Sequence, residues 1–212
     1  MIITCWSVKG GSGTTVVAAS LALLLGRRSA QGALLVDLAG DAPAVLGMAE
    51  PTGPGVGDWL DGPSRDATSL FQHEVEAAPF VRLLAMGIRT LSPGSPLIEA
   101  LAQDERTIII DAGVLAPGPT LDVISNATTS LLVLRPCYLA LRRASLAPVR
   151  PSGVVLINEP GRALGRKDIE SVLGVPVVAD VLIDPNVARA VDAGLLAGRL
   201  PRGLARSLRS AA

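Results

Sequence analysis

The run Lys9-Gly10-Gly11-Ser12-Gly13-Thr14-Thr15 carries the residue types that grip an anion: three glycines, three hydroxyl side chains and a lysine. Glycine lets a backbone bend around a ligand with no Cβ in the way. The amides of such a loop point inward, and a helix beginning directly behind it adds its dipole. Residues 2–8 read as an apolar strand, and residues 15–28, entered through Val16, read as a helix. Strand, loop and helix in that order are the setting a phosphate loop requires. Thr15 falls in the first helical turn, where its hydroxyl can hold Mg²⁺. The simpler alternative is a glycine-rich turn that only redirects the chain. The lysine and threonine at its two ends weigh against that.

Further signals sit at strand ends. Leu34-Leu35-Val36-Asp37 and Thr107-Ile108-Ile109-Ile110-Asp111 are apolar runs closed by an aspartate. Open α/β sheets bind ligands outside the carboxyl ends of their strands, and an aspartate there can orient Mg²⁺ or its water. Each could equally cap a loop, but three strand ends meeting at one edge favour a joint functional role. Val154-Val155-Leu156-Ile157-Asn158 ends in an amide that can both donate and accept, and so could read a purine edge. A turn-forming role before Pro160 is the alternative.

The elements that would position these groups alternate. Strand-like runs fall at 2–8, 34–37, 81–84, 107–111, 131–134, 154–158 and 177–181, and helical stretches at 15–28, 95–103, 120–128, 139–147, 167–173 and 186–193. Continuous apolar strands separated by helices predict an α/β three-layer sandwich with a mostly parallel central sheet. Residues 50–76, rich in Gly, Pro and Asp, read as loops around one short helical turn. The 212 residues, 49% hydrophobic, suit a single domain with a sizeable core. Charges balance to a net of zero, which argues against a protein built mainly to coat nucleic acid. Five aromatic residues are too few for base-stacking platforms. Two cysteines make neither a disulfide framework nor a metal quartet, and the lone His73 reads as surface. No signal peptide is apparent and no apolar run reaches membrane-spanning length, so a cytoplasmic location is expected. Seventeen of the nineteen basic residues are arginine; the two lysines are Lys9 and Lys167.

Together these residues resemble the MinD/ParA family of dimeric P-loop ATPases, over nearly the whole chain. That family's loop reads Lys-Gly-Gly-x-Gly-Lys-Thr, a deviant Walker A motif, and Lys9, Gly10, Gly11, Gly13 and Thr15 match it. The resemblance implies ATP and Mg²⁺ as cofactors and a homodimer formed across the nucleotide. Lys9 would be the signature lysine that crosses to the partner's phosphates, Asp111 the Walker B aspartate and Asn158 the base contact. The segment Asp184-Pro185-Asn186-Val187 would pack near adenine. Ser12 and Thr14 complete the loop, and Asp37 is expected to serve the metal and the reaction. Within the family, Val36-Asp37-Leu38-Ala39-Gly40-Asp41, Gly57-Asp58-Trp59-Leu60, Arg135-Pro136-Cys137-Tyr138-Leu139 and Val191-Asp192-Ala193-Gly194 resemble an actinobacterial TadZ/CpaE-like branch. Such proteins are linked to placing pilus machinery or to the septum site, which implies a polar or septal location and a partner from either process.

Two positions depart from the family pattern. Thr14 stands where relatives carry the loop's second lysine, and a threonine offers one neutral hydrogen bond in place of a charge-assisted one. Ala39 stands where relatives place a water-orienting aspartate, with Asp41 two residues on. Hydrolysis is therefore expected to suffer more than binding. An alternative is a non-hydrolysing interaction platform; another is a partition protein binding nonspecific DNA, for which Arg142, Arg143 and Arg150 are a modest patch. Residues 196–212 could form a terminal basic helix with leucines at 196, 200, 204 and 208. Packing back on the domain is the favoured reading of that segment over contact with an anionic membrane.

Overall fold

The computed structural model describes residues 1–88 and 96–212. In chain order the elements are β1 Ile2–Ser7, α1 Thr14–Gly26, β2 Ala33–Asp37, α2 Ala42–Leu46, α3 Val56–Leu60, α4 Ala67–Phe71, β3 Val75–Ala78, β4 Val81–Leu84 and α5 Leu97–Leu101. There follow β5 Thr107–Val114, α6 Pro119–Asn126, β6 Thr129–Leu134, α7 Tyr138–Ser145, β7 Gly153–Asn158, α8 Arg166–Leu173, β8 Val177–Leu182, α9 Pro185–Asp192 and α10 Arg202–Ser207. A single 3₁₀ turn, Leu208–Ser210, ends the chain. The helix expected over 95–103 begins on Ser95, which lies outside the described residues; its body is α5.

The strands form one sheet in the order β3-β4-β2-β5-β1-β6-β7-β8. All pairings are parallel except β3 with β4. Successive residues of a strand face opposite sides of a sheet, and both sides here are covered. Ile2, Trp6, Ile108 and Ile110 belong to one apolar cluster, packed with α3 to α8; Ile3, Cys5 and Ile109 belong to the other, under α1, α2 and the C-terminal segment. This explains why the strands read as unbroken apolar runs rather than as alternation. Helix α1 is buried over most of its length, Val17 to Leu23 being at most 1% exposed, because it lies against the sheet centre with α2 and α10 over its outer side.

The chain visits β2 and β4 on one side of β1, returns to β5, and then crosses to β6, β7 and β8 on the other. The order reverses at β1, so a crevice opens there at the carboxyl ends of the strands.

The stretch 50–76 holds more structure than its composition suggests: α3, α4 and the antiparallel edge strand β3. The cause is non-local. Val56, Trp59, Leu60, Ala67 and Leu70 are buried in the first cluster, and the Trp59 indole N–H donates to Ser69 Oγ at 3.0 Å. The terminal segment also departs from one continuous helix. Helical structure stops after Asp192 and resumes at Arg202, with glycines at 194 and 198 and Pro201 between. Leu196, Leu204 and Leu208 are buried against the body, so the four-residue leucine spacing serves the core. Gly47 at the end of α2 meets Gly194 just past α9; both are left-handed, at φ +74 and +64°, and a Cβ on Gly47 would lie 2.0 Å from the Gly194 carbonyl oxygen. That close approach seats α9 beside the crevice. No helix among the described residues is long and apolar enough to cross a membrane.

Candidate functional site

The loop between β1 and α1 is braced from inside. The Ser12 hydroxyl donates to the Lys9 carbonyl at 2.9 Å. The Ser7 hydroxyl lies within reach of the carbonyls of Lys9 (3.0 Å) and Gly113 (3.2 Å), which ties the loop to the end of β5. Gly11 and Gly13 are left-handed, at φ +72 and +86°, and a Cβ there or on Gly10 would meet nothing within 4 Å. Gly11 and Gly13 are therefore required by backbone conformation and not by neighbouring side chains, and all three glycines leave an open concavity.

Helix α1 makes its first turn behind that concavity. The Val17 N–H donates to the Gly13 carbonyl at 3.0 Å, so the amides preceding Val17 belong to the free end of the helix. No acidic residue occupies the first turn, which leaves the positive end of the dipole uncompensated. In front lies a cleft of about 840 Å³ lined by residues 10–16, by Leu38, Ala39 and Asp41, by Ala112, Gly113 and Val114, and by Val191 and Asp192.

Two aspartates meet beneath this cleft. In the β2–β5 register Asp37 lies directly beside Asp111, and both are 0% exposed. Asp37 Oδ1 accepts the amides of Ala39 (2.9 Å) and Gly40 (2.8 Å), and Oδ2 accepts that of Ala42 (2.9 Å). Burial pushes its carboxyl above the usual range, and those three amides oppose the rise. Three of its lone pairs thus hold the turn into α2, and one on Oδ2 is left for the metal role expected of it. Asp111 is the opposite case. Its Oδ1 accepts the Gly113 amide at 3.1 Å, while Oδ2 has no hydrogen-bond partner among the described residues. Burial, and more weakly the charges of Asp37 and Asp41, push its carboxyl up to about 7; the nearby Thr15 hydroxyl and the Gly113 amide limit the rise. A buried polar atom without a partner costs roughly 1–3 kcal/mol. Here it lies behind the first turn of a helix with free amides. A hard cation takes carboxylate and hydroxyl oxygens, and Asp111 with Thr15 provides both types.

The other expected residues are placed as follows. Thr14 is buried at the first position of α1. Thr15 and Val16 line the cleft. The Lys9 ammonium is exposed, 3.5 Å from the Gly10 carbonyl oxygen, and Lys9 is not among the lining residues. Beside the loop a smaller, mostly apolar pocket of about 280 Å³ is formed by Val16, Val17, Ile157, Val181, Leu182, Ile183 and Val187, with Arg135 and Asp184 at its polar side. Asn158 and Pro185 line neither space. The Asn158 carbonyl accepts the Ile183 amide at 2.9 Å, which pins the chain after β8. Pro185 is exposed at the start of α9, and Asp184 caps that helix through the Asn186 amide at 2.8 Å.

Sequence reasoning passed over Asp192 and Arg135 as site residues. Arg135 stands just beyond β6, a fourth strand end on the same edge, so the rule that singled out Asp37 and Asp111 applies to it too. Asp41, considered only as a distant substitute, lines the cleft and makes no side-chain cap on α2. A separate groove of about 780 Å³ runs between α9 and residues 199–203, with Arg189, Arg199 and Arg202 along it.

No protein-family model matches the chain, and no curated protein matches it by sequence. Solved structures do match by fold. The septum site-determining protein MinD of Pyrococcus horikoshii, in complex with Mg-ADP, superposes with a TM-score of 0.78 at 20% identity, over 99% of this chain and 93% of that one. The cell division ATPase MinD of Pyrococcus furiosus gives 0.77 at 22% identity, over 100% and 99%. A ParA family ATPase of Chlorobium tepidum gives 0.75 at 19%, over 98% and 95%. The chain thus has the fold of the MinD and ParA-type P-loop ATPases across its whole length.

Proposed function

We propose that this chain is a nucleotide-binding positioning protein of the MinD/ParA type, which holds Mg-ATP in the cleft before α1 and dimerises around it. The observation that carries this reading is Asp111 Oδ2, buried with no hydrogen-bond partner among the described residues, near Thr15 at the open end of a helix. The MinD of Pyrococcus horikoshii, similar in fold, is a complex with Mg-ADP. The residues of this chain fit the same pair of groups: Thr15 and Asp111 would hold Mg²⁺, and the amides of residues 10–16 would cradle the phosphates. When bound, the metal would neutralise phosphate charge. The apolar pocket between β7, β8 and α9 would enclose the base, with Asn158 and Pro185 shaping its wall through the backbone around Ile183 and Asp184.

The same geometry argues for slow turnover. Ala39 presents no carboxylate to the cleft, which leaves Asp41 and Asp192 as the exposed acids that line it. Thr14 offers a hydroxyl where a lysine would supply charge. Lys9 faces outward and is free to reach a partner's nucleotide, so ATP would be shared between subunits. A subunit that binds and dimerises without hydrolysing would act as a platform, the second reading; the absence of any lysine or arginine from the described lining of the cleft favours it. Placement of pilus machinery or of a division site is the finer reading, supported by the sequence runs that resemble the TadZ/CpaE-like branch and by the cell-division proteins among the fold neighbours.

Size-exclusion chromatography with light scattering, with and without Mg-ATP, tests the core of this proposal. A monomer that becomes a dimer only with Mg-ATP is the expected result. A mass indifferent to nucleotide, together with no binding heat for Mg-ATP, would overturn it. Phosphate release measured on the same samples separates slow turnover from none.

A further inference from the structure

The cleft before α1 has an unusual charge balance. Its described lining carries two carboxylates, Asp41 and Asp192, and no cation; Asp37 and Asp111 lie directly beneath. A polyphosphate entering this space meets acid on several sides. The helix end and a divalent ion offset part of that repulsion. A cation from the same subunit would offset more, and among the described residues three basic side chains make contact with the loop and the residues leading into it.

Lys9 points away, toward the Gly10 carbonyl. Arg143 reaches the Val8 carbonyl at 3.5 Å, behind the loop, and lines neither space. Arg135 is placed differently. It lines the apolar pocket together with Gly11, Ser12 and Gly13, three of the six residues that this pocket shares with the cleft. Its Nη1 lies 3.5 Å from the Gly11 carbonyl oxygen, and its Nη2 donates to Glu159 Oε2 at 3.1 Å. Its side chain is 35% exposed, so it can change rotamer without opening the core.

The ion pair that holds Arg135 is built to be given up at low cost. Glu159 Oε2 also accepts Arg162 Nε at 2.8 Å and Nη2 at 2.7 Å. If Arg135 leaves, Glu159 keeps a bidentate partner and no charge is stranded. A partly exposed ion pair adds little to stability, whereas a guanidinium on phosphate oxygens makes charge-assisted, often paired bonds.

We infer that Arg135 is this subunit's own phosphate-binding cation, released from Glu159 to take the phosphate oxygens of a nucleotide whose base occupies the adjacent apolar pocket. The inference rests on the nucleotide-binding reading above and adds a residue to it. Arg135 supplies from β6 the charge that Thr14 does not supply from α1. Glu159 is then a positioning residue that parks the guanidinium beside the loop while the cleft is free.

Calorimetric titration of the full chain with Mg-ATP, and separately with adenosine, tests this on the parent and on Arg135→Ala, Arg135→Lys and Glu159→Gln. Arg135→Ala should weaken Mg-ATP by roughly ten- to a hundredfold, the worth of one hydrogen bond to a charged group, and should leave adenosine nearly unchanged. Its Mg-ATP affinity should also depend less steeply on salt. Arg135→Lys should recover part of the loss, because a point charge remains without the fork. Glu159→Gln should tighten Mg-ATP severalfold. Thermal unfolding of each variant should match the parent, since the pair lies at the surface. Equal losses for Mg-ATP and adenosine would make Arg135 a wall of the base pocket and overturn the inference, as would an unchanged Arg135→Ala. In both cases nucleotide binding by the parent would still stand. A parent that binds neither ligand would overturn both readings.

Discussion

Asp37, the last residue of β2, and Asp111, inside β5, are the same residue type at the same height in the sheet, yet they do different work. Asp37 and Asp111 are neighbours in register and equally buried. The chain after Asp37 curls back at once and delivers the amides of Ala39, Gly40 and Ala42 to its two oxygens. The chain after Asp111 continues as strand to Val114 and delivers only the Gly113 amide. One carboxylate gives three of its lone pairs to shaping a turn. The other keeps an oxygen with no hydrogen-bond partner among the described residues, beside the first turn of α1. A buried acid beside a cleft is therefore not a ligand by virtue of burial or position alone; what weighs is how many of its lone pairs the local backbone has already used.

Removing each carboxylate should break the symmetry most plainly. Asp37→Ala strands three amides, each costing roughly 1–3 kcal/mol if left without a partner. A loss of about 3–5 kcal/mol in urea unfolding is expected after some water enters. Asp111→Asn should act in the opposite direction. It discharges a buried group, and at pH 8 without nucleotide the variant should be more stable than the parent by about 1–3 kcal/mol, while Mg²⁺ should no longer tighten its ATP binding. A destabilised Asp111→Asn protein would show that Oδ2 has a partner in solution and would remove the contrast.

The pH dependence sharpens the same point. Burial pushes the Asp111 carboxyl up to about 7 in the folded chain, against about 3.9 for an aspartate in an unfolded chain, so the folded state binds more protons than the unfolded state between those values. Stability must then fall as pH rises through that window, by at most about 1.4 kcal/mol per pH unit from this group. The parent minus Asp111→Asn difference in unfolding free energy should thus be flat above pH 8 and move in the parent's favour as pH is lowered to 5. A difference that does not vary with pH would contradict it. The smallest effect concerns the neighbouring helix. Thr14→Lys places a cation at the first turn of α1 and should tighten Mg-ATP by about tenfold, the scale of one charge-assisted bond. No gain would mean that the loop does not present position 14 to the phosphates.

Much of this was legible from local pattern. The apolar strands, the loop 9–15 and the helix behind it follow from periodicity and from glycine chemistry, and they occur where those rules place them. The aspartates of β2 and β5 were legible as positions but not as roles, and β5 runs on past its aspartate to Val114. Helices α3 and α4 and strand β3 were hidden by a loop-like composition, because what stabilises them is burial of Trp59, Leu60 and Leu70 against residues far away in sequence. The terminal leucine stripe was legible as amphipathic, and only packing against the sheet and α1 shows that its apolar side is core.

The sequence by itself determined the anion cradle, because a left-handed glycine loop between an apolar strand and a helix is a local property of about a dozen residues. Tertiary structure decided which side chains address it. Asp37 and Asp111 come together only when β5 pairs with β2. Arg135 reaches Gly11 across 124 positions of chain, because β6 pairs with β1. Whether an acid still has a lone pair to offer, or a cation a direction to turn, depends on partners brought by the sheet, and those are set by strand order rather than by spacing.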